Sequence, residues 1–305
     1  GLAGPNSIWM DTVGSLDEAG EKAVEAYRAS YGPAPGPVTL IMPADLAWTA
    51  GASRAAAVET PGSVKAPDAA ISQAAKALSE AGQAAVLVNG SALNAEGLKA
   101  CARLAAAGVK IFTDTFVPRQ RRGAGVFAPA KLPYFAEAAI EARSGIELLV
   151  VAGTKPPVAF FAYPDTPGEL TPEGVATLQV GGPEIDSGDA LRRIADAMGA
   201  GQSAPGPQPV EKSIDAAGQK LSPNTIGAVL AAHMPADAIA SDDGVTASLP
   251  IFLQTAGAEP HDWLSLMGGA IGQGMPAAIG AAIAAPDRKG ICLTGDGAGM
   301  YTNQS

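Results

Sequence analysis

Apolar and polar positions follow two periods along this chain, and the order of the two periods predicts its fold class. Short runs of β-branched residues alternate with amphipathic stretches of about 10 to 15 residues, which is typical of parallel sheets with crossover helices. The predicted strands are residues 38–42, 85–89, 110–113, 146–152, 176–180, 238–241, 263–266 and 290–294. The predicted helices are residues 16–31, 69–81, 95–107, 134–142, 190–198, 222–232, 246–254 and 276–284. The pattern therefore predicts an α/β protein made of successive doubly wound parallel-sheet domains.

Two stretches rich in Ala, Gly, Ser and Pro interrupt the pattern and are predicted to be linkers. They cover residues 49–68 and 199–213. The predicted domains are residues 1–50, residues 51–213 with the linkers, and residues 214–305. The first 12 residues are predicted to be loop, and Ser15 is predicted to cap the first helix, with Glu18 three positions on. Because the chain does not begin with Met and ends while helices and strands still alternate, we expect it to be an incomplete piece of a longer protein.

Composition narrows the classes of partner. The 305 residues are 47% hydrophobic, which is enough for substantial cores, and carry 30 acidic against 20 basic side chains. This balance argues against nucleic acid or an anionic membrane as a partner and favours a small ligand. Cys101 and Cys292 lack a CxxC spacing, so both are predicted to be buried thiols in a reducing compartment. With neither a signal peptide nor an apolar run of about 18 residues, a cytoplasmic location is expected.

Two glycine-rich stretches near the end of the chain are the candidate chemistry. In MGGAIGQGMPAAIGAAIAA, residues 267–285, four glycines precede a predicted helix with Pro276 near its start. Glycines let the backbone approach a ligand, and the amides at a helix start suit a diphosphate. In TGDGAGM, residues 294–300, Asp296 follows a predicted strand and is placed to hold Mg²⁺. Asp-Gly alone is typical of a turn, but the two stretches together predict a cofactor site.

These stretches carry a resemblance to a known family. The pair GGAIGQGMPAAIGAA and TGDGAGMYTNQ resembles the cofactor-binding domain of the thiamine diphosphate-dependent decarboxylases and carboligases, which include acetolactate synthase and benzoylformate decarboxylase. GPVTLIMPADLAW, residues 36–48, resembles the end of that family's pyrimidine-binding domain. Residues 67–200 resemble its Rossmann-like central domain. The three predicted domains are then the end of the pyrimidine domain, the central domain and the start of the diphosphate-binding domain.

The resemblance implies roles for particular residues. Asp296 matches the family's first Mg²⁺ ligand, and Ile271 matches the apolar residue beneath the cofactor that bends it. Residues 241–248 match a loop that touches the diphosphate from the other side, with Thr246 and Ser248 as hydroxyl donors. The implied cofactor-binding residues are Gly244, Thr246, Ser248, Gly269, Ile271, Gly272, Gly274, Gly295, Asp296, Gly297 and Ala298.

The resemblance also shows where this sequence departs from the family. The family's catalytic Glu is expected upstream of Gly1 and its second Mg²⁺ ligand, an Asn, beyond Ser305, so no catalytic residue is assigned and the chain alone is expected to be inactive. Val245, Thr246 and Ala247 stand where acetolactate synthases usually carry Gln-His-Gln, which favours relatives similar to benzoylformate decarboxylase. Residues 153–165 lack the stretch found near FAD in many acetolactate synthases, so FAD is not supported.

The implied function is a thiamine diphosphate- and Mg²⁺-dependent decarboxylase or carboligase acting on a 2-oxo acid, in a homodimer or homotetramer. Two alternatives stay open. One is a non-catalytic fragment or homologue that binds the cofactor or serves a structural role. The other is a nucleotide-dependent oxidoreductase, although the GxGxxG pattern after a strand is not found.

Other polar and aromatic residues are assigned surface or structural roles first. His233 is predicted to lie at a helix end, whereas His261 is a minor candidate for a substrate or cofactor contact. The arginines at 119, 121 and 122 are predicted to be solvated loop charges, with phosphate binding in the central domain as the alternative. The aromatic run at residues 160–163 is predicted to be a hydrophobic patch, with a substrate-channel role second.

Overall fold

The computed structural model describes residues 1–32, 35–214 and 218–304, and places them in two compact units. The first unit is residues 1–65 with 183–185, and the second is residues 66–182 with 186–305. Within the described residues, no helix is long and apolar enough to cross a membrane.

The first unit contains a parallel strand pair with a helix between the strands. Strand β1 (Trp9–Thr12) pairs with β2 (Val38–Ile41), α1 (Ala19–Ser30) connects them, and α2 (Ala44–Ala47) follows. The prediction of loop before residue 13 was therefore wrong for β1, because β-strand pairing with residues 38–41 orders it. The predicted Ser15 cap was also wrong. Helix α1 begins after Glu18, whose carboxylate accepts the Ser15 amide hydrogen at 3.2 Å.

The second unit carries two sheets and most of the helices. Its strands are β3 (Ala84–Val88), β4 (Lys110–Thr113), β5 (Gln120–Arg122), β6 (Ala130–Lys131), β7 (Leu148–Ala152), β8 (Ala176–Gly181), β9 (Ile239–Asp243), β10 (His261–Ser265) and β11 (Gly290–Thr294). Its helices are α3 (Asp68–Glu80), α4 (Ala95–Ala106), α5 (Ala136–Glu141), α6 (Ser187–Ala197), α7 (Pro223–His233), α8 (Ser248–Gln254), α9 (Gly274–Ala284) and α10 (Asp296–Thr302).

The central sheet has the strand order β6-β4-β3-β7-β8, and every pairing in it is parallel. All residues of β3 and β7 are buried. Their side chains are wholly apolar, as expected for parallel strands covered on both faces. Leu87, Leu149 and Val151 pack in one cluster with Phe112 from β4. This agrees with the doubly wound pattern predicted from the sequence.

The second sheet, here called the cofactor sheet, has the order β11-β9-β10-β5. Strands β9, β10 and β11 are parallel, whereas β5 joins the β10 edge in the antiparallel direction. Strand β5 comes from the predicted central domain, yet Arg122 pairs with His261 across this edge. Residues 199–213, predicted to be a linker, are tied to both regions, because Ala204 bonds to Ala102 and Val210 to Gly257.

Candidate functional site

The carboxyl ends of β9 and β11 lie side by side and bring the predicted cofactor stretches together. Asp243, the last residue of β9, pairs in register with Thr294, the last residue of β11. The Gly295 amide donates to the Asp243 carbonyl at 3.1 Å. Gly244 and Asp296 therefore leave the sheet at the same edge, where ligands of open α/β sheets gather.

Residues 267–273 are here called the glycine loop. Glycine is required at Gly272 in this loop and at Gly274, the first residue of α9, because other parts of the site pack closely there. Gly272 has φ +97°, and a Cβ added there would lie 2.9 Å from the Tyr301 Cβ. A Cβ at Gly274 would lie 2.5 Å from the Asp243 Cβ. The loop carbonyl of Gly272 also accepts the Thr302 hydroxyl at 2.7 Å. The glycine loop is thus in contact with both α10 and the end of β9.

Asp243 is a site residue that the sequence reasoning missed. Its Oδ2 accepts the Gly272 amide at 2.8 Å and the Gly274 amide at 3.2 Å. Its Oδ1 is buried and has no hydrogen-bond partner among the described residues. These two amides had been expected to suit a diphosphate, but the protein's own carboxylate already occupies them.

Asp242 is a second missed residue and holds the turn on the other side of β9. Its Oδ1 accepts the Gly244 amide at 3.1 Å and the Ser248 hydroxyl at 2.6 Å, and its Oδ2 accepts the Trp263 indole at 3.2 Å. The Ser248 hydroxyl proton is therefore used inside the protein. Ser248 cannot donate it to a ligand while this bond is kept, so the expected donor role does not fit this geometry.

The turn after β9 stores backbone strain. Val245 adopts φ +50° and is 53% exposed, and Thr246 beside it is also exposed. A positive φ is uncommon for a β-branched residue and costs on the order of 1–3 kcal/mol. Such outliers cluster at ligand-binding turns, and this one lies within residues 241–248, the loop predicted to touch the diphosphate.

Asp296 is exposed and is the first residue of α10, while Ala298 is buried behind it. A Cβ added at Gly297 would meet nothing within 4 Å, so a ligand can approach the backbone there. Ile271 is 43% exposed in the glycine loop, close to Gly269. The structure places these predicted residues around one edge of the sheet.

The exposed Asp296 carboxylate at this edge fits a hard cation that is shared with phosphate oxygens. Mg²⁺ takes one or two protein carboxylates plus substrate phosphates, rather than a cage made only of protein. The part of the chain that the structure describes gathers no group of three or more His, Cys, Asp or Glu side chains able to hold a metal by itself. Asp296 is the exposed carboxylate at this edge, whereas Asp243 is 1% exposed.

His261 lies at the opposite end of the cofactor sheet from these residues. Its neighbour Asp262 pairs with Ile239, the first residue of β9. The ring is fully buried, its Nδ1 lies 2.7 Å from the Glu259 carbonyl, and burial lowers its pKa to about 4. A contact between His261 and the cofactor edge is thus not formed. His233 is the exposed last residue of α7, as predicted.

The prediction of solvated loop charge was wrong for Arg122. Strand β5 carries it into the protein, where it is 5% exposed, donates to the Thr255 hydroxyl at 2.7 Å and lies 3.6 Å from the Phe252 ring centroid. Burial lowers its pKa to about 9, and the Asp242 carboxylate opposes this shift. Arg119 is more exposed and pairs with Asp262 at 2.8 Å. The phosphate-binding alternative is not favoured, because Arg122 is committed to internal partners.

Cys292 departs from its prediction, whereas the aromatic run forms the predicted patch. Cys101 is buried, but Cys292 is exposed, because β11 lies at the edge of the described sheet and Cys292 faces away from the apolar clusters that contact Ile291 and Leu293. The predicted aromatic patch does form. Phe160 stacks on Tyr134 with ring centroids 5.3 Å apart, although Phe160 remains 50% exposed.

Residues 251–305 match the protein family described as TPP_enzyme_C, thiamine pyrophosphate enzyme, C-terminal TPP binding domain. The "Putative acetolactate synthase large subunit IlvX" of Mycobacterium tuberculosis is 38% identical over 302 residues, which are 99% of this chain and 58% of that protein. Benzoylformate decarboxylase of Pseudomonas aeruginosa is 29% identical over 174 residues, which are 52% of this chain and 32% of that protein. The chain therefore spans only part of the length of these relatives.

A solved structure has the same fold. The thiamine diphosphate-dependent 4-hydroxybenzoylformate decarboxylase of Rhodococcus jostii RHA1 superposes with a TM-score of 0.71 at 22% identity, covering 98% of this chain and 60% of that one. Residues 251–305 thus carry the C-terminal TPP-binding domain of the thiamine pyrophosphate enzymes, and the chain is homologous to the acetolactate synthase large subunit and benzoylformate decarboxylase. This confirms the family resemblance and the α/β fold class.

Proposed function

We propose that this homologue of thiamine diphosphate-dependent enzymes serves as part of a thiamine diphosphate- and Mg²⁺-dependent 2-oxo acid decarboxylase or carboligase. One observation carries the proposal. The family match over residues 251–305 includes both the glycine loop and Asp296. Hydrogen bonds made by Asp243 and Thr302 bring these two segments together at one edge of the sheet.

Different residues at this edge would contact different parts of the cofactor. The Asp296 carboxylate would take the metal, and the backbone of residues 295–298 would lie along the diphosphate. Thr246 and the Gly244 backbone would approach from the strained turn, with Ser248 buttressing that turn through Asp242. When bound, thiamine diphosphate supplies the electron sink for loss of carbon dioxide from a 2-oxo acid.

Ile271 would set the shape of the bound cofactor. It is an exposed large apolar side chain of the glycine loop, and its 43% exposure leaves surface for a ligand to cover. The Gly272 amide donates a hydrogen bond to Asp243 and the Gly272 carbonyl accepts one from Thr302, so Ile271 has a defined position before the ligand arrives. Such preorganisation lowers the cost of binding.

The substrate class and the assembly of the chain belong to the same proposal. Benzoylformate decarboxylase and the 4-hydroxybenzoylformate decarboxylase are named for aromatic 2-oxo acids. The Val-Thr-Ala sequence at residues 245–247 favours this group over acetolactate synthesis. We extend the expected homodimer or homotetramer to this chain as part of the proposal.

Calorimetric titration of the chain with thiamine diphosphate, with and without Mg²⁺, tests the proposal. We expect binding that depends on Mg²⁺ and no binding of NAD. Asp296→Asn should weaken Mg²⁺-dependent binding about 10- to 100-fold, as loss of a metal-site group typically does. Asp287→Asn, at an exposed position in the same region, is the matched control and should bind as the wild type does.

Three outcomes would contradict parts of this proposal. Binding of NAD without thiamine diphosphate would favour the oxidoreductase alternative. Thiamine diphosphate binding that ignores Asp296→Asn would place the metal elsewhere. Release of carbon dioxide from pyruvate or benzoylformate by this chain alone would contradict the expectation that the chain alone is inactive.

A further inference from the structure

Asp243 contacts both parts of the candidate cofactor site, although neither glycine-rich stretch includes it. Its side chain accepts hydrogen bonds from the amides of Gly272 and Gly274, which lie 29 and 31 positions further along the chain. Its backbone carbonyl accepts the amide of Gly295, directly before Asp296. One residue at the end of β9 thus connects the glycine loop with the metal-binding stretch.

The backbone at Gly274 packs closely against Asp243. Gly274 presses its backbone against Asp243, since a Cβ at Gly274 would come within 2.5 Å of the Asp243 Cβ. The amides of Gly272 and Gly274 both donate to the Asp243 carboxylate. Hydrogen bonds to a charged acceptor are about twice as strong as neutral ones. Ile271 immediately precedes Gly272, so its position depends directly on the hydrogen bond from the Gly272 amide to Asp243.

The fold keeps Asp243 at an energetic disadvantage. Asp243 is 1% exposed, and its Oδ1 lacks a hydrogen-bond partner among the described residues. An unsatisfied buried oxygen destabilises the folded state, and such groups in native structures call for a functional explanation. The neighbouring Asp242 has partners on both oxygens, so the disadvantage is specific to Asp243.

We propose that Asp243 is a positioning residue that acts through Ile271. Its Oδ2 fixes the glycine loop so that Ile271 stands in place to support the bent cofactor. The cofactor part of this inference rests on the proposed function, whereas the hold on the loop does not. Asp243 touches the loop and the strand, and the role assigned to it involves no step of the reaction.

The first measurement is amide hydrogen exchange at Gly272 and Gly274 in the 305-residue chain without cofactor. Asp243→Ala removes the shared acceptor, so exchange at both amides should accelerate at least about tenfold. Asp243→Asn keeps an oxygen of the same shape and should retain most of the protection. Asp287→Asn is the control and should leave both amides unchanged. Equal protection in Asp243→Ala and the wild type would overturn the proposal.

The second measurement separates positioning from a general loss of structure. Asp243→Ala should weaken thiamine diphosphate binding about 10- to 100-fold, with Asp243→Asn closer to the wild type. In an Ile271→Ala background, Asp243→Ala should cost much less affinity than it does alone, since residues that act together are not additive. Fully additive losses would overturn the role through Ile271. If the wild type binds no thiamine diphosphate, the proposed function fails, and the exchange experiment still decides whether Asp243 holds the loop.

Discussion

Strands β3 and β9 occupy equivalent places in the two sheets of the second unit but are built from different residues. Each is an inner strand of five residues, and every residue of each is buried. Strand β3 reads Ala-Ala-Val-Leu-Val, whereas β9 reads Ile-Ala-Ser-Asp-Asp. Both strands turn at their carboxyl ends with a positive φ. After β3 this φ falls on Gly90, but after β9 it falls on Val245.

The difference in residue type between β3 and β9 indicates that the central sheet contributes mainly to stability and the carboxyl end of the cofactor sheet mainly to the candidate site. Apolar burial stabilises the central sheet at about 25 cal/mol per Å² of surface removed from water. The buried carboxylates at the end of β9 contribute no such term, and their hydrogen bonds hold the turn after β9 and the glycine loop instead. We infer that the central sheet is the stable support and that the carboxyl end of the cofactor sheet carries strain in return for a shaped site.

Leu87→Ala should give the largest effect and tests the structural side of the comparison. Leu87 is fully buried in β3, so its truncation should lower the free energy of unfolding by about 2–5 kcal/mol. Denaturant titration would measure this loss. Thiamine diphosphate affinity of the folded chain should stay near the wild-type value. Leu87→Met is the control and should cost less than about 1.5 kcal/mol. An affinity loss as large as that of Asp243→Ala would break the comparison.

His261 should make the cofactor sheet sensitive to acid at its amino end. Its pKa is lowered to about 4 from 6.5 because it is buried. Between these values the unfolded chain binds the proton and the folded chain does not, so stability falls as pH falls from 6.5 to 4. The loss from this group should be on the order of 3 kcal/mol.

Unfolding measured across this pH range tests the prediction. His261→Phe should flatten the fall in stability, while His233→Gln, at an exposed position, should keep the wild-type slope. The same slope in His261→Phe and the wild type would show that His261 is not the group responsible. Cofactor affinity should be retained in the folded His261→Phe chain, because His261 lies at the end of the sheet away from Asp296.

Val245→Gly should give the smallest effect, and its sign is the informative part. Glycine adopts a positive φ without strain, so the variant should gain up to about 1 kcal/mol of stability. Val158→Gly, at another exposed valine without a positive φ, should lose about 0.5–1 kcal/mol. A loss of stability in Val245→Gly would mean that the turn after β9 is not strained. We expect the relaxed turn to bind thiamine diphosphate more weakly.

The same two strands show how far the sequence predicted the structure. Strand β3 was predicted to within a residue because an unbroken apolar run between helical stretches has few other interpretations. Strand β9 was predicted to stop at Ser241, because Asp-Asp-Gly is typical of a turn. Strand β5, with the sequence Gln-Arg-Arg, carries no periodic signal, and only its pairing with residues 261–263 makes it a strand.

The candidate site was also predicted only in part from the sequence. The glycine loop and Asp296 were expected to meet, because strand ends of a parallel sheet share one edge. The roles of Asp242 and Asp243 were not predictable, since their partners include residues 21 to 31 positions away. A signal was present in the run Ser-Asp-Asp at the end of a predicted buried strand. Buried carboxylates there require partners, which sequence spacing does not identify.

Strand β5 has a consequence for how the protein could be divided. If the chain were cut near residue 213, the C-terminal piece would lack β5. The edge of β10 would then present unpaired amides and carbonyls, and Asp262 would lose its ion pair with Arg119. Exposed strand edges recruit other chains and promote aggregation. The composition of residues 199–213 suggests a convenient place to separate the cofactor-binding part, but the β5 pairing means that this part needs a segment made about a hundred residues earlier to remain soluble by itself.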